Sequence, residues 1–334
     1  GAAETIPLVV QDKTFVPNDM QLMMQDETWD TARWGGEGSL WVPHVYSPAQ
    51  NPGDASGGNA YGRWAYGPWF WPPTNNIAYP PVLNPYYDPS CNPFEPGAAG
   101  FCEPPYMPGT PDVSWGAEAF LDTPVVNGTA YPTLTVDPKP YRFRVLNAAH
   151  DRFWNLQIYQ ADPAAATEVK MVPATPGAYP TYPDWPSDGR AGGAPDPALI
   201  GPRFIQIGTE SGFLPAPVEL PAQPITWNND PTTFNAGNVD LHELLLGPAE
   251  RADVIVDFSS FGGKTLILYN DAPAAFPALD PRLDYYTGAP DLTETGGVAG
   301  VLPGYGPNTR TIMQIKVNAG TGPGFSLPNL ETAW

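Results

Sequence analysis

Three histidines and two cysteines, His44, His150, His242, Cys91 and Cys102, are the chain's whole supply of imidazole and thiol. Such groups hold zinc or a redox metal when their spacing lets them converge. Here there is no His-X-His pair and no His-Cys-His run, and neither cysteine has a histidine nearby. His242 keeps the period of Leu244 and Leu246 and should face inward near a strand end. His150 follows Asn147-Ala148-Ala149 in a turn, and His44 lies in an aromatic stretch. A lone histidine is more often structural than a ligand, so no shared metal site is expected. No Gly-rich phosphate loop and no serine–histidine–aspartate order stands out. Asp12, Asp253 and Asp257 fall on strands and read as structural, and Glu250–Arg251 reads as a turn-fixing pair rather than acid/base machinery.

The elements that would position these groups are strands. With 45 prolines and 34 glycines the chain is rich in turns, and no long span carries a helical period, so an all-β class is expected. Val254 and Val256 alternate with Asp253, Ile255 and Asp257, as in a strand with one buried face. The Gly247-Pro248 turn joins it to the strand ending at Leu246. Tyr141, Phe143 and Val145 alternate with Arg142 and Arg144, and Phe153–Tyr159 should follow as that strand's partner. Asn127-Gly128 marks a turn between strands, and with Thr129 it is formally a glycosylation sequon. Further strands are expected at residues 4–16, 203–208, 239–246, 264–269 and 310–317. Met20–Met24 suits a strand or a short turn of helix. Between the strands lie irregular segments. The first, 17–112, includes the aromatic run Gly62–Pro73, which either packs on the domain and its neighbours or walls a substrate entrance.

Four blocks together resemble the middle cupredoxin domain of the multicopper oxidases, the laccase and bilirubin-oxidase group, and bacterial spore-coat-type laccases most closely. Leu244-Leu245-Leu246-Gly247-Pro248-Ala249-Glu250-Arg251-Ala252-Asp253-Val254-Ile255-Val256-Asp257-Phe258 is the most specific. Ile6–Lys13 resembles that domain's opening strand. Thr123–Gly128, Pro132-Thr133-Leu134, Tyr141–Ala148 and Asn155-Leu156 form the next block, and Phe204–Pro215 the last. The order is the family's, and the blocks span residues 6–258.

The resemblance implies a cupredoxin-like Greek-key β-sandwich or barrel. Residues 1–317 would be a middle, copper-free domain with insertions at about 17–112, 161–202 and 271–308. Residues 318–334 would be a linker toward a last cupredoxin domain, and the chain would be a central piece of a longer protein. The parent enzyme would oxidise phenolic, organic or metal reductants by one-electron steps and reduce O2 to water. Its copper would be bound by the first and last cupredoxin domains, the partners of this span. This span would have no catalytic residue. It would supply substrate-cleft wall from His150, Asp151, Arg152 and Phe153, and from Asp271, Ala272, Pro273, Ala274 and Ala275. The alternative is a copper-free cupredoxin-like binding domain that uses the aromatic insert as its contact surface. A carbohydrate-binding sandwich is a third reading, and it leaves the four blocks unexplained.

A net charge of −20 argues against nucleic acid and anionic membrane surfaces as partners. No apolar run approaches the roughly 18 residues a spanning helix needs. Cys91 and Cys102, close together in a proline-rich loop, favour a local disulfide and a periplasmic or extracellular compartment over two free thiols in the cytosol. From the ligand inventory, this chain alone should retain no stoichiometric copper. Metal analysis after dialysis against Cu(II) checks it, and one tightly held copper with intense blue thiolate absorption would overturn it.

Overall fold

Side chains on successive strand residues point to opposite faces, so a strand buried on one side alternates and a strand buried on both does not. Both kinds occur in the computed structural model. It describes residues 4–20, 22, 31–40, 82–84, 87–92, 94, 102, 105–107, 120–228, 230, 232–233, 243–273, 284–292 and 300–334. The strands in chain order are β1 (Glu4–Lys13), β2 (Val82–Leu83), β3 (Tyr106–Met107), β4 (Thr123–Val126), β5 (Thr129–Ala130) and β6 (Thr133–Val136). They continue with β7 (Pro140–Asn147), β8 (Trp154–Asp162), β9 (Ala165–Val169), β10 (Met171–Val172), β11 (Ala194–Pro195) and β12 (Phe204–Thr209). The last five are β13 (Gly212–Leu220), β14 (Leu245–Leu246), β15 (Arg251–Asp257), β16 (Thr265–Asn270) and β17 (Thr311–Val317).

Residues 1–13 and 122–334 form one unit and residues 14–121 another. In the first unit, one sheet runs β13-β12-β15-β7-β1-β4-β5. The other runs β14-β8-β16-β17-β6, with β9 on β8, so the class is all-β and cupredoxin-like. β1 is parallel to β7, with Ile6 beside Phe143, and antiparallel to β4.

Phe143, Val145, Val254 and Val256 of the first sheet meet Trp154, Leu156, Leu266, Leu268 and Ile315 of the second in the main core. The ring of Phe258 closes it against Tyr141 and Phe143, at centroid distances of 6.1 and 6.0 Å.

β7 alternates as its sequence requires. β8 pairs with β14, β16 and β9 rather than with β7, the partner its place in the sequence suggests. β7 is flanked instead by β1 and β15, because residues 148–153 carry the chain across to the other sheet. The Gly247-Pro248 turn likewise joins β14 in one sheet to β15 in the other.

The outer faces are covered in part as well. Tyr159, Ile267 and Tyr269 face away from the main core and pack with Val169, Ala174, Trp185 and Ala194 of the 161–202 segment. Ile205, Ile207 and Ile255 are covered by Phe325, Leu327 and Leu330. Residues 318–334, expected as a connecting linker, therefore cross the first sheet and end in a helix, Leu327–Ala333, with Ser326 as its N-cap. Asp257 holds this crossing by accepting the Phe325 N–H at 2.7 Å.

At the β4–β5 turn Asn127 and Gly128 have φ of 51° and 85°, the left-handed pair that a two-residue hairpin loop requires. The Asn127 carboxamide accepts from Val9 N and donates to Pro7 O, so the formal sequon residue already serves as a strand clamp.

In the second unit, Val16 N donates to Ser39 O, and Leu22 N donates to Asn18 O in a helical i to i−4 bond, with Asp19, Met20 and Leu22 helical. β2 and β3 form a short antiparallel ladder, and Cys91 is bonded to Cys102. His44 and the aromatic run Gly62–Pro73 lie outside the described residues.

Phe143 is 1% exposed between the two sheets. Phe143→Ala should cost about 3–5 kcal/mol of stability through lost burial and the cavity left behind. Denaturant unfolding measures it, and a cost under about 1 kcal/mol would place the core elsewhere.

Candidate functional site

The two crossovers between sheets meet at Asn147, which is fully buried. Its Nδ2 donates to Arg152 O at 2.9 Å and to Leu246 O at 2.8 Å, and its Oδ1 accepts from Ala149 N at 2.9 Å. Its backbone pairs with Ala249 N and Glu250 O. In the second crossover Ala249 sits at φ 69°, and the Glu250 carboxylate accepts from Gly247 N at 2.6 Å. Glu250 thus fixes the turn, as its position after Gly-Pro-Ala suggests.

His150, Asp151, Arg152 and Phe153 emerge from this knot. His150 is exposed, Asp151 and Phe153 are half-buried, and Arg152 is fully buried. The Arg152 Nε stands 3.6 Å from the equally buried Asp12, and its guanidinium carbon is 5.9 Å from the Trp154 ring centroid. Asp12 also accepts from His150 N at 3.3 Å. Arg152, expected on the cleft wall, is therefore an interior strut that ties the 150–153 loop to β1. A charge this deep persists only with an opposite charge beside it.

The second expected wall segment starts at the end of β16. Asn270 Oδ1 accepts from Asn155 N at 2.9 Å and from Ala272 N at 3.1 Å. Asp271 is 6% exposed. Its Oδ1 accepts from Asn155 Nδ2 at 2.7 Å and its Oδ2 from Ile225 N at 3.1 Å. Arg190 Nη1 lies 3.7 Å from the same Oδ2. Burial pushes the Asp271 carboxyl above its ordinary range, against the opposing pull of Arg190, Asn155 and Ile225. Asp271 and Ala272 are thus framework rather than surface, and Pro273 is half-buried. Ala274 and Ala275 lie outside the described residues.

The two loops nonetheless come together. Phe153 and Leu245 pack on Ile225, Trp227 and Ala272, and the Phe153 ring lies over Gly247, where a Cβ would come within 3.0 Å of it. The joint is a small apolar floor, and His150 and Asp151 precede Phe153 in the loop that packs on it.

Arg190 was not legible as part of this end. It comes from the Pro/Gly-rich 161–202 segment, and only the fold brings it here. Its Nε and Nη2 grip Asp188, and Nη2 also donates to Ile225 O. Burial alone would raise the Asp188 carboxyl, but the Arg190 hydrogen bonds and charge outweigh it and hold the group below its usual range.

A cleft of about 680 Å3 opens at the other end of the strands, with Tyr182, Trp185, Arg203, Glu219 and Phe325 among its lining. It shares no residue with the two loops.

No protein-family model matches the chain. A laccase of Haloferax volcanii is 31% identical over 155 residues, 46% of this chain and 18% of that protein. Multicopper oxidase LPR2 of Arabidopsis thaliana is 29% identical over 167 residues, and a laccase of Bacillus subtilis is 28% identical over 151. The chain is a relative of the multicopper oxidases. It spans about a fifth of the length of these curated relatives, 18% in each case. Among solved structures, a variant of the multicopper oxidase McoA of Aquifex aeolicus is 18% identical with a TM-score of 0.38, covering 98% of this chain and 34% of that one.

Does this multicopper oxidase relative hold copper donors of its own? A blue-copper centre needs a thiolate and two imidazoles. Both cysteine sulfurs are consumed in the disulfide. Of the histidines, His150 stands on the surface, and His44 and His242 lie outside the described residues. Among the described residues no three histidine, cysteine or carboxylate side chains converge. This donor set does not fit a blue-copper centre.

Because Asp188 is held low in the fold, its contribution to stability is present above its unfolded pKa, near 4, and is lost as pH falls through the folded value. Asp271 has the opposite sign, since its raised carboxyl binds a proton more tightly in the fold and is relieved in acid. Asp188→Asn should cost on the order of 1 kcal/mol at pH 7, screened at a partly exposed site, and should flatten the loss of stability below about pH 4. Thermal unfolding from pH 3 to 7 measures both, and an unchanged acid limb would assign that limb to other carboxylates.

Proposed function

We propose that this chain is the middle, copper-free cupredoxin-like domain of a laccase-like multicopper oxidase. The parent takes single electrons from phenolic, organic or metal reductants. Four such electrons and four protons convert one O2 to two waters. The metal that carries those electrons belongs to the first and last cupredoxin domains of the same protein, which are this span's partners. The paired cysteines suit an exported setting, periplasmic or extracellular. No described helix is long and apolar enough to cross a membrane.

The observation that carries this reading is the meeting of the 150–153 and 271–273 loops at one end of the sandwich, on a shared apolar floor of Ile225, Trp227 and Ala272. In this reading that end is a wall of the reducing-substrate cleft. His150, Asp151, Phe153 and Pro273 form its accessible part, while Arg152, Asp271 and Ala272 hold it in place. An apolar floor beside a loop that carries the half-buried Asp151 suits an aromatic reductant bearing a hydroxyl or amine. The ring is covered, and the polar group meets Asp151.

In the complete oxidase, Asp151→Ala should lower kcat/KM for at least one reductant about two- to tenfold, the equivalent of roughly 0.5–1.5 kcal/mol, with copper content unchanged. The loss should fall mainly in KM, because the contact binds substrate and transition state alike. Steady-state kinetics with a phenolic and a metal reductant check it. An unaltered kcat/KM for every reductant, with copper intact, overturns the wall assignment.

A further inference from the structure

We infer that Arg190 is a positioning residue for this end of the domain, an inference that rests on reading that end as substrate-cleft wall. One guanidinium from the 161–202 segment locks two other segments, 225–227 and 271–273, in the arrangement that forms the apolar floor.

Arg190 keeps 16% of its side-chain exposure and Asp271 only 3%. Arg190 Nη2 reaches Ile225 O, Ile225 N donates back to Asp271 Oδ2, and Arg190 Nη1 faces that same oxygen at 3.7 Å. The three groups close a ring. Its two strands of attachment leave directly for Trp227 and Ala272, both buried in the floor. Asp188, gripping Nε and Nη2 from the far side, sets the plane of the guanidinium. That plane decides which nitrogens reach Ile225 and Asp271.

Only a planar group with several donors can serve all three acceptors at once. An ammonium at the same place would keep the charge facing Asp271 and lose the fork. The charges make the lock local. Arg190 faces both carboxylates, Asp188 and Asp271, while Arg310, the Asn155 amide and the Ile225 N–H also act on Asp271. The ring meets the sheets at strand ends, through Asn155 at the start of β8 and Asp271 just after β16. Loosening it should free the floor without unfolding the sandwich.

The test uses the complete oxidase with Arg190→Gln and Arg190→Lys. Hydrogen exchange followed by mass spectrometry reads the lock itself. In Arg190→Gln, peptides covering 221–228 and 270–273 should exchange about tenfold faster, while the peptide covering Val254 in β15 is unchanged. Kinetics read the wall. KM for a bulky phenolic reductant should rise roughly three- to tenfold with kcat and copper content nearly unchanged. Arg190→Lys should recover part of both effects, which a merely structural loss of stability would not produce. Exchange that is unchanged at 221–228 and 270–273 overturns the lock. Faster exchange with an unaltered KM leaves the lock standing and overturns the reading of this end as substrate wall. Should Arg190→Gln fail to accumulate, Asp188→Asn leaves the guanidinium in place but unaimed. It must then show the same local exchange, or the inference fails.

Discussion

A single buried carboxamide decides how this sandwich is joined. Asn147 ends β7 where the chain leaves the first sheet, and it bonds Arg152 O on the way out and Leu246 O on the way back. A carboxamide has a two-proton donor and an acceptor on one plane, and Asn147 uses both ends. An aspartate of the same shape offers no donor for the two carbonyls. An alanine leaves both carbonyls without their partner in a buried place, at about 1–3 kcal/mol for each. Both crossovers at this end inherit their position from that residue. The 150–153 loop hangs from one crossover, and the Gly247–Glu250 turn forms the other.

The second constraint is that the outer face of the second sheet, and part of that of the first, must be covered. β8 is buried at six successive positions, Trp154 to Tyr159, and β16 at five, Leu266 to Asn270. Continuous burial of this kind needs a cover. The 161–202 segment supplies it for the second sheet and the 325–330 stretch for part of the first. The Pro/Gly-rich segment is thus a layer of the fold, with its own core around Tyr159, Trp185 and Tyr269. From that layer Arg190 reaches the site.

Strand alternation made β7 and β15 legible, and Asn-Gly made the β4–β5 turn legible, because each signal is local. The pairing of β8 was not. Adjacent strands usually pair, and only the buried Asn147 knot explains why the chain crosses between sheets instead. The covering role of residues 318–334 was hidden for a similar reason. Phe325, Leu327 and Leu330 are sparse apolar residues among glycine and proline, and they become informative only beside Ile205, Ile207 and Ile255. At the site, the loops were found by resemblance, but their charged residues misled. Arg152 and Asp271 read as surface because most such residues are. What buries them lies far along the chain, Asp12 for the first and Arg190, Ile225 and Asn155 for the second. Asp12, a charged residue on an apolar strand, was the one sequence signal that a buried cation should exist.

The separation of buried from exposed charge has a consequence for recognition. Arg152 is paired with Asp12, and Arg190 with both Asp188 and Asp271, within the fold. A matched interior pair contributes little field to an approaching solute. Charges on the surface act on solutes within a screening length of roughly 8 Å at physiological salt. The net charge of −20 belongs to the chain as a whole, while on the proposed cleft-wall reading selectivity at this end would fall to a few groups beside an apolar floor. Affinity for an aromatic solute would come from Phe153 and the floor beneath it, where burial is worth roughly 25 cal/mol per Å2 of apolar surface. Asp151 would set the orientation. Substrates that differ only in distant charge should be distinguished weakly here, and substrates that differ in ring size or in the placement of one donor should be distinguished strongly. On the proposed reading, the second kind of discrimination would need a rigid floor, and Arg190 and Asp271 would hold it from within without touching the solute.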